Sequence, residues 1–298
     1  MALIVQKFGG SSVADVAKMK NVAGKVIAEK ERGNQVVVVV SAMGKTTDNL
    51  LSMVAEVTDD PNPRELDMLL ATGEQVSISM LAIVLQSMGH KTVSMTGPQV
   101  GILTDSVHGR ARIRHINTEK LKQLLDDGHI VIVAGFQGAS LEGQITTLGR
   151  GGSDTTAVAL AAALQADRCD IYTDVDGVYT TDPRVVPNAR KLNHISYDEM
   201  LELASLGAKV LHSRSVELAK HFSVPLQVLS SFTGNPGTMI VKEYPSMEDI
   251  VVSGVAFNRN ESKISLIGVP DQPGMASRLF QALGEADIPV DIIVQNVG

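Results

Sequence analysis

At 298 residues the chain is long for a single core, and a length of about 150 residues per domain predicts two. Aromatics are only 3% and Trp is absent, so the core must be Val, Ile, Leu, Ala and Met, which suits helices on a parallel sheet and argues against an aromatic-rich β-sandwich. A net charge of −7 without a basic run excludes nucleic acid as the main partner, and any phosphate must be met by local groups.

The first stretch, Val5 to Val13, is an apolar strand that passes through Lys7 into Gly9, Gly10, Ser11 and Ser12. Glycine lets the backbone turn sharply near a ligand, and Ser12 with Asp15 fits the S-x-x-D capping pattern of a helix beginning at Val13. Free N–H groups, the helix dipole and Lys7 favour an anion here, although an ordinary βα turn with an exposed lysine has the same spacing. Val16, Met19, Val22, Ala23, Val26 and Ile27 recur at helical spacing up to Gly33, predicting a helix over 13–32. Gln35 to Ser41 holds five consecutive valines and reads as a strand covered on both faces. Ser41 to Thr47 leaves the C-terminal end of that strand, where open α/β sheets place ligands. Gly44-Lys45-Thr46 resembles the tail of a P-loop, but the first glycine of that motif would fall on Val39, which excludes Walker A.

Helical patterns cover 48–58 and Glu65 to Met88, separated by the breakers Pro61 and Pro63. Inside the second, Gly73 and Glu74 interrupt an apolar pattern, which marks either a solvated face or a functional break. A strand at 91–96, a less regular stretch to Arg114, a helix near 118–127 and a strand at 129–135 continue the alternation, so an α/β fold with a mostly parallel sheet is expected. Thr146 to Thr156 then gathers Gly149, Arg150, Gly151, Gly152, Ser153 and Asp154 at the start of an alanine-rich helix, 155–165. This is a second anion site, with Arg150 as a bidentate fork. Asp154 is a candidate to orient Lys7, since glycine turns on neighbouring strands of one sheet can face each other. Cys169, the only cysteine, rules out a disulfide framework and a zinc ligand set, and its position suits a small packing residue. Thr173 to Arg184 is a polar loop suited to a nucleotide, with Tyr179 for base or ribose and Arg184 for phosphate, though a plain Asp/Gly/Pro turn cluster would look alike. Helices at 197–206 and 209–219 and a strand at 226–230 bring this part to its end near residue 240. The seven histidines form no metal-ligand spacing.

In order, Lys7 to Val13, Thr72-Gly73-Glu74, Leu148 to Asp154 and Thr173 to Arg184 resemble the motifs of the aspartate kinases of the amino acid kinase family, over residues 1 to about 240. The resemblance implies a three-layer αβα sandwich that phosphorylates the side-chain carboxylate of L-aspartate with ATP and Mg²⁺, the first step toward lysine, threonine and methionine. It assigns Lys7 to the transferring phosphoryl group and Asp154 to holding Lys7. Glu74 matches the acceptor of the substrate ammonium. Arg150, Gly151, Gly152 and Ser153 match the carboxylate clamp, with Ser41 and Thr47 nearby. Lys7, Gly9, Gly10, Ser11, Thr173, Asp174, Tyr179, Arg184, Lys209 and Val210 match ATP contacts. The carboxylate nucleophile is already ionised and needs no general base, which accounts for the absence of a placed histidine. The metal is expected on phosphates and water, with an aspartate nearby.

By the same resemblance, residues 1–244 are the catalytic domain and 245–298 an incomplete ferredoxin-like βαβ (ACT) regulatory segment, with strands at 262–269 and 290–297 around a helix at 275–286. Its half of an effector site would use Asp271, Pro273, Gly274, Met275, Asp291, Gln295 and Asn296. Uncovered edges and an apolar face lead to the expectation of a homo-oligomer with weak or no feedback by lysine or threonine. A strand at the very start leaves no room for a signal peptide, and the apolar runs read as too short for a bilayer, so a cytoplasmic protein is expected. The rivals are another amino acid kinase, acting on a glutamate-type substrate, carbamate or a nucleoside monophosphate, and a non-catalytic amino-acid-sensing subunit. The second would lack Lys7 or Asp154, and both are present.

Overall fold

Strands β1 (Leu3–Phe8) and β2 (Gln35–Val40) lie side by side in parallel, with Phe8 opposite Val40. In this computed structural model Val36, Val38 and Val40 enter one apolar cluster while Val37 and Val39 enter the other. The valine run is therefore a strand buried on both faces. The structure describes residues 1–208, 210–242, 253–257, 262, 264–269, 272–286, 288, 290, 293 and 294. They fall in two compact units, Met1–Phe257 and Asn258–Gly298.

The remaining elements of the first unit are α1 (Val16–Glu31), α2 (Thr46–Ala55), α3 (Pro63–Leu70), α4 (Thr72–Ser87), β3 (Thr92–Met95), β4 (Ile102–Thr104), β5 (Ile113–Ile116), α5 (Glu119–Asp126), β6 (Ile130–Ala134), β7 (Gln137–Ala139), β8 (Ile145–Thr147), α6 (Gly152–Leu164), β9 (Arg168–Thr173), β10 (His194–Ser196), α7 (Tyr197–Ser205), α8 (Ser213–Phe222), β11 (Leu226–Ser230) and β12 (Thr238–Val241). The main sheet has the order β10-β12-β11-β9-β1-β2-β6-β3, and only the β11-β12 pair is antiparallel. On one face α1 and α4 pack Met19, Val22, Val26, Leu81 and Leu85 against Phe8 and Tyr172. On the other, α5 to α8 supply Leu121, Leu160, Met200 and Val216. This is the expected αβα sandwich, and each fully buried side chain of this size contributes about 1.5–3 kcal/mol.

Five details depart from the sequence pattern. The first helix begins at Val16 rather than Val13, capped by Asp15, whose carboxylate accepts from Lys18 N at 2.8 Å. Ser12 instead meets the Ser231 hydroxyl at 2.5 Å, a tertiary contact that wins over the local cap. The pattern from Glu65 to Met88 is two helices joined at Ala71, and Pro63 starts α3 rather than only breaking the chain, because a first-turn proline loses no helical hydrogen bond. The irregular stretch before Arg114 builds part of a second sheet, β5-β4-β7-β8. Pro63–Ser87 has the length and apolarity to cross a membrane, contrary to the expectation from apolar runs, with 56% of its most apolar window buried inside the protein. Later in the chain, the helix expected from 209 starts at Ser213, where the ring of His212 accepts from Arg214 N.

In the second unit the helix expected at 275–286 is α9 (Met275–Glu285). Residues 264–267 form no strand, because no ladder partner pairs with them among the described residues. Much of the strand expected at 290–297 lies outside the described residues.

Candidate active site

The register brings the C-terminal ends of four strands level, with Phe8 opposite both Val40 and Tyr172, and Val40 opposite Ala134. The chain moves from β1 to β2 on one side and returns as β9 on the other, so β1 marks the switch point where open α/β sheets hold ligands. The loops after β1 and β2 touch: Gly44 N donates to Gly10 O at 3.0 Å, and a Cβ on Gly10 would stand 2.6 Å from Ala42 O. No other residue fits there without moving the backbone.

Lys7, near the end of β1, lies 2.6 Å from Asp154 Oδ1 in the first turn of α6, and both side chains are about seven-eighths buried, at 12% and 13% exposure. Among the described residues Oδ1 has no aligned hydrogen-bond partner, so the contact is an ion pair in a poorly solvated place. Gly151, left-handed, leads directly into α6, whose N-terminal dipole adds positive potential beside the lysine.

Glu74 sits in the first turn of α4 at 3% exposure. Its Oε1 accepts from Ala42 N at 3.1 Å, and Oε2 has no hydrogen-bond partner among the described residues. Burial is the largest influence on this carboxyl and raises its pKa to about 7, against the opposing pull of hydrogen bonds from its own and the Ala42 backbone N–H. A cation delivered by a ligand would complete it. Ser41 and Thr47 are half-buried, the first at the exit of β2 and the second in the first turn of α2. Ser153 is buried at the start of α6, while Arg150 is exposed and has no polar partner among the described residues.

Gly9, Gly10 and Ser11 lie at the β1 exit. In the loop after β9, Thr173 donates to Asp174 at 3.1 Å and Tyr179 to Asp176 at 2.8 Å. Asn235 and Lys191 reach the other oxygen of Asp176 at 3.2 and 3.5 Å. Arg184 folds both arms onto Asp182, at 3.0 and 2.9 Å. Val210 packs against the core, and Lys209 lies outside the described residues. Pro273, Gly274 and Met275 form the turn into α9, whereas Asp271, Asp291, Gln295 and Asn296 lie outside the described residues. Cys169 is fully buried and its thiol is pushed well up by burial, a packing residue as read. Among the described residues no group of three or more His, Cys, Asp or Glu is placed to hold a metal.

Sequence reasoning passed over Asp67, Thr147's hydroxyl, His108 and Arg214. Asp67 is 1% exposed and accepts from Thr147 Oγ1 at 2.5 Å, Thr147 N at 3.0 Å and Gly109 N at 3.1 Å, beside His108 Nδ1 at 2.7 Å. Arg214 donates to the carbonyls of Leu148 and Ala111, both at 2.8 Å. The available signal was an acid at 67 in helical phase with Leu70, Ala71 and Glu74, on the stripe that faces the core.

The model of the amino acid kinase family matches residues 2–230. An aspartokinase of Geobacillus stearothermophilus is 55% identical over 296 residues, 99% of this chain and 73% of that one. The aspartate kinase structure from Synechocystis is 46% identical with a TM-score of 0.74, covering 96% of this chain and 48% of its own. Aspartokinase III of E. coli, solved with aspartate and ADP, has a TM-score of 0.80 at 28% identity, covering 99% of this chain and 76% of its own; its complex with lysine and aspartate has a TM-score of 0.79 at 26% identity, covering 99% and 77%. This chain belongs to the aspartate kinases of the amino acid kinase family.

Proposed function

We propose that Lys7, Asp154, Glu74 and Arg150 carry the family's reaction here, phosphoryl transfer from ATP to the side-chain carboxylate of L-aspartate. The observation that bears most weight is Glu74, a buried carboxylate with one oxygen unpartnered at the ligand end of the sheet. Such a group asks for a cation, and the ammonium of an amino acid supplies one. Arg150, exposed on the glycine loop and without a polar partner among the described residues, is suited to receive the α-carboxylate as a planar fork. Those two groups hold the substrate at its amino-acid end and leave the side-chain carboxylate free to attack. The nucleophile is ionised already, so the protein has to position it and neutralise charge. Lys7 neutralises the transferring group, Asp154 keeps Lys7 in place, and the N–H groups of Gly10 and Ser11 and of Ser153 and Asp154 at the start of α6 are the ones left for the phosphates.

ATP fits the two glycine turns, and the polar loop after β9 takes its nucleoside, with Thr173, Asp174, Tyr179, Arg184 and Val210 as contacts. Mg²⁺ would be held by the phosphates and water with an aspartate nearby, and would supply positive charge to the transferring group. Residues 1–244 form the catalytic domain in this reading and 245–298 a regulatory segment. Lysine, bound in one of the E. coli structures, is the feedback amino acid it favours, with threonine as the alternative.

The test is to trap the acyl phosphate with hydroxylamine, using ATP and Mg²⁺ with aspartate, glutamate or N-acetylglutamate. Aspartate should be preferred by roughly an order of magnitude over glutamate, about what one methylene is worth in a fitted pocket. N-acetylglutamate, without an ammonium, should be still poorer. A preference for either of the others would overturn the assignment of Glu74 and Arg150.

A further inference from the structure

We infer that Asp67 is a positioning residue that fixes the distance between the two ends of the substrate clamp, and thereby the preference for aspartate over longer homologues. The inference rests on Glu74 and Arg150 being those two ends. Asp67 belongs to α3, and Glu74 lies one junction further along, in the first turn of α4. Thr147 is the last residue of β8, three positions before Arg150. The Asp67 carboxylate accepts from both the backbone N–H and the hydroxyl of Thr147, so one buried side chain ties α3, which runs through Ala71 into the helix carrying Glu74, to the strand that delivers Arg150.

The other bonds around it serve the same loop. Both Asp67 oxygens accept from Gly109 N at 3.1 Å, and His108 Nδ1 stands 2.7 Å from Oδ2. Gly109 O in turn lies against Gly149, where a Cβ would come within 2.9 Å and φ is +77°. Ala111 N donates to Thr147 O at 2.9 Å, and Arg214 spans the carbonyls of Ala111 and Leu148. From the other side, Gln137 donates to Ala71 O at 2.8 Å, fixing the α3-α4 junction to β7, which pairs with β8 through Gln137 and Thr147. Among the described residues Arg150 makes no polar contact of its own, so its place depends on this frame.

A buried carboxylate that accepts from several donors cannot be copied by an amide, which would turn an N–H toward the Thr147 or Gly109 N–H. Asp67→Asn in the full chain should therefore raise the aspartate KM by roughly tenfold, as a small misplacement of a binding group does, and narrow the aspartate-to-glutamate ratio of kcat/KM. The ATP KM should rise much less, because the first glycine turn and the nucleoside contacts stand on other loops and only the start of α6 is shared. Thr147→Val removes the hydroxyl bond and keeps the backbone bond, so it should act in the same direction by about threefold. It also decides the matter should Asp67→Asn fail to fold. Folded variants with an unchanged aspartate KM, or with both KM values rising together, would overturn the inference. Arg150→Lys run alongside separates the two readings. An unchanged aspartate KM in Arg150→Lys removes the clamp itself, whereas a raised one there beside an unchanged one in Asp67→Asn removes only the positioning role.

Discussion

A carboxylate with one oxygen on a backbone N–H and the other on nothing is tolerable only if it stays protonated or meets a cation. Glu74 is in that position, with its pKa raised by burial from 4.5 to about 7. The folded chain thus holds this proton more tightly than the unfolded chain. Its contribution to stability is fully present below about pH 4.5 and is lost as pH rises through about 7, on the order of 3 kcal/mol over the whole interval. Melting temperatures of the empty protein should show this when wild type is compared with Glu74→Gln between pH 5.5 and 8. Wild type should lose ground relative to the variant as pH rises, and parallel curves would contradict the assignment. Binding runs the other way, because the ammonium needs the ionised form, so the aspartate KM should fall as pH rises through about 7. The sequence makes Glu74 conspicuous as an acid within an apolar helix. It makes Asp67 far less so, since nothing local distinguishes a buried acceptor of several hydrogen bonds from an acid on the wet side.

Pairs of elements carry the rest of the site. Lys7 leaves β1 and Asp154 opens α6, and they meet because the end of β1 stands level with β2 and β9 in the middle of the sheet. That meeting was legible as a pairing of two glycine turns, though not by the expected route: the second turn leaves β8 of the second sheet rather than a neighbouring strand of the parallel one. The helix starts were not, because Ser12 spends its hydroxyl on Ser231, more than two hundred residues away, and Asp15 takes over the cap. The second sheet was hidden for a similar reason: its strands run three or four residues each, too short for an alternating pattern to register. Lys7→Ala removes the cation of the β1-α6 pair and leaves Asp154 partly buried and unpaired. A loss in kcat of roughly 10², about 3 kcal/mol, is expected by comparison with the removal of a single preorganised donor. Steady-state assays at saturating aspartate and ATP measure it, and a variant within twofold of wild type would take Lys7 off the catalytic list.

At the scale of the whole molecule the two units differ in how they treat apolar surface. The first packs valines, leucines and isoleucines into buried clusters on both sides of one sheet. In the second, α9 carries Met275, Leu279, Phe280 and Leu283 at helical spacing, yet none of its residues is buried. Ile264, Leu266, Ile267, Val269, Ile293 and Val294 are exposed as well. Apolar surface left in water forgoes about 25 cal/mol per Å², and a set of this size exceeds what isolated surface side chains present. A second copy of the chain offers the same surface in return, and a two-fold axis lets each copy cover the other's. Multi-angle light scattering at tens of micromolar should therefore report a dimer or larger species. Leu279→Glu combined with Phe280→Glu, both outside the catalytic unit, should shift it toward monomer while kcat with saturating substrates changes little. A monomeric wild type at that concentration would exclude this surface as a self-association site.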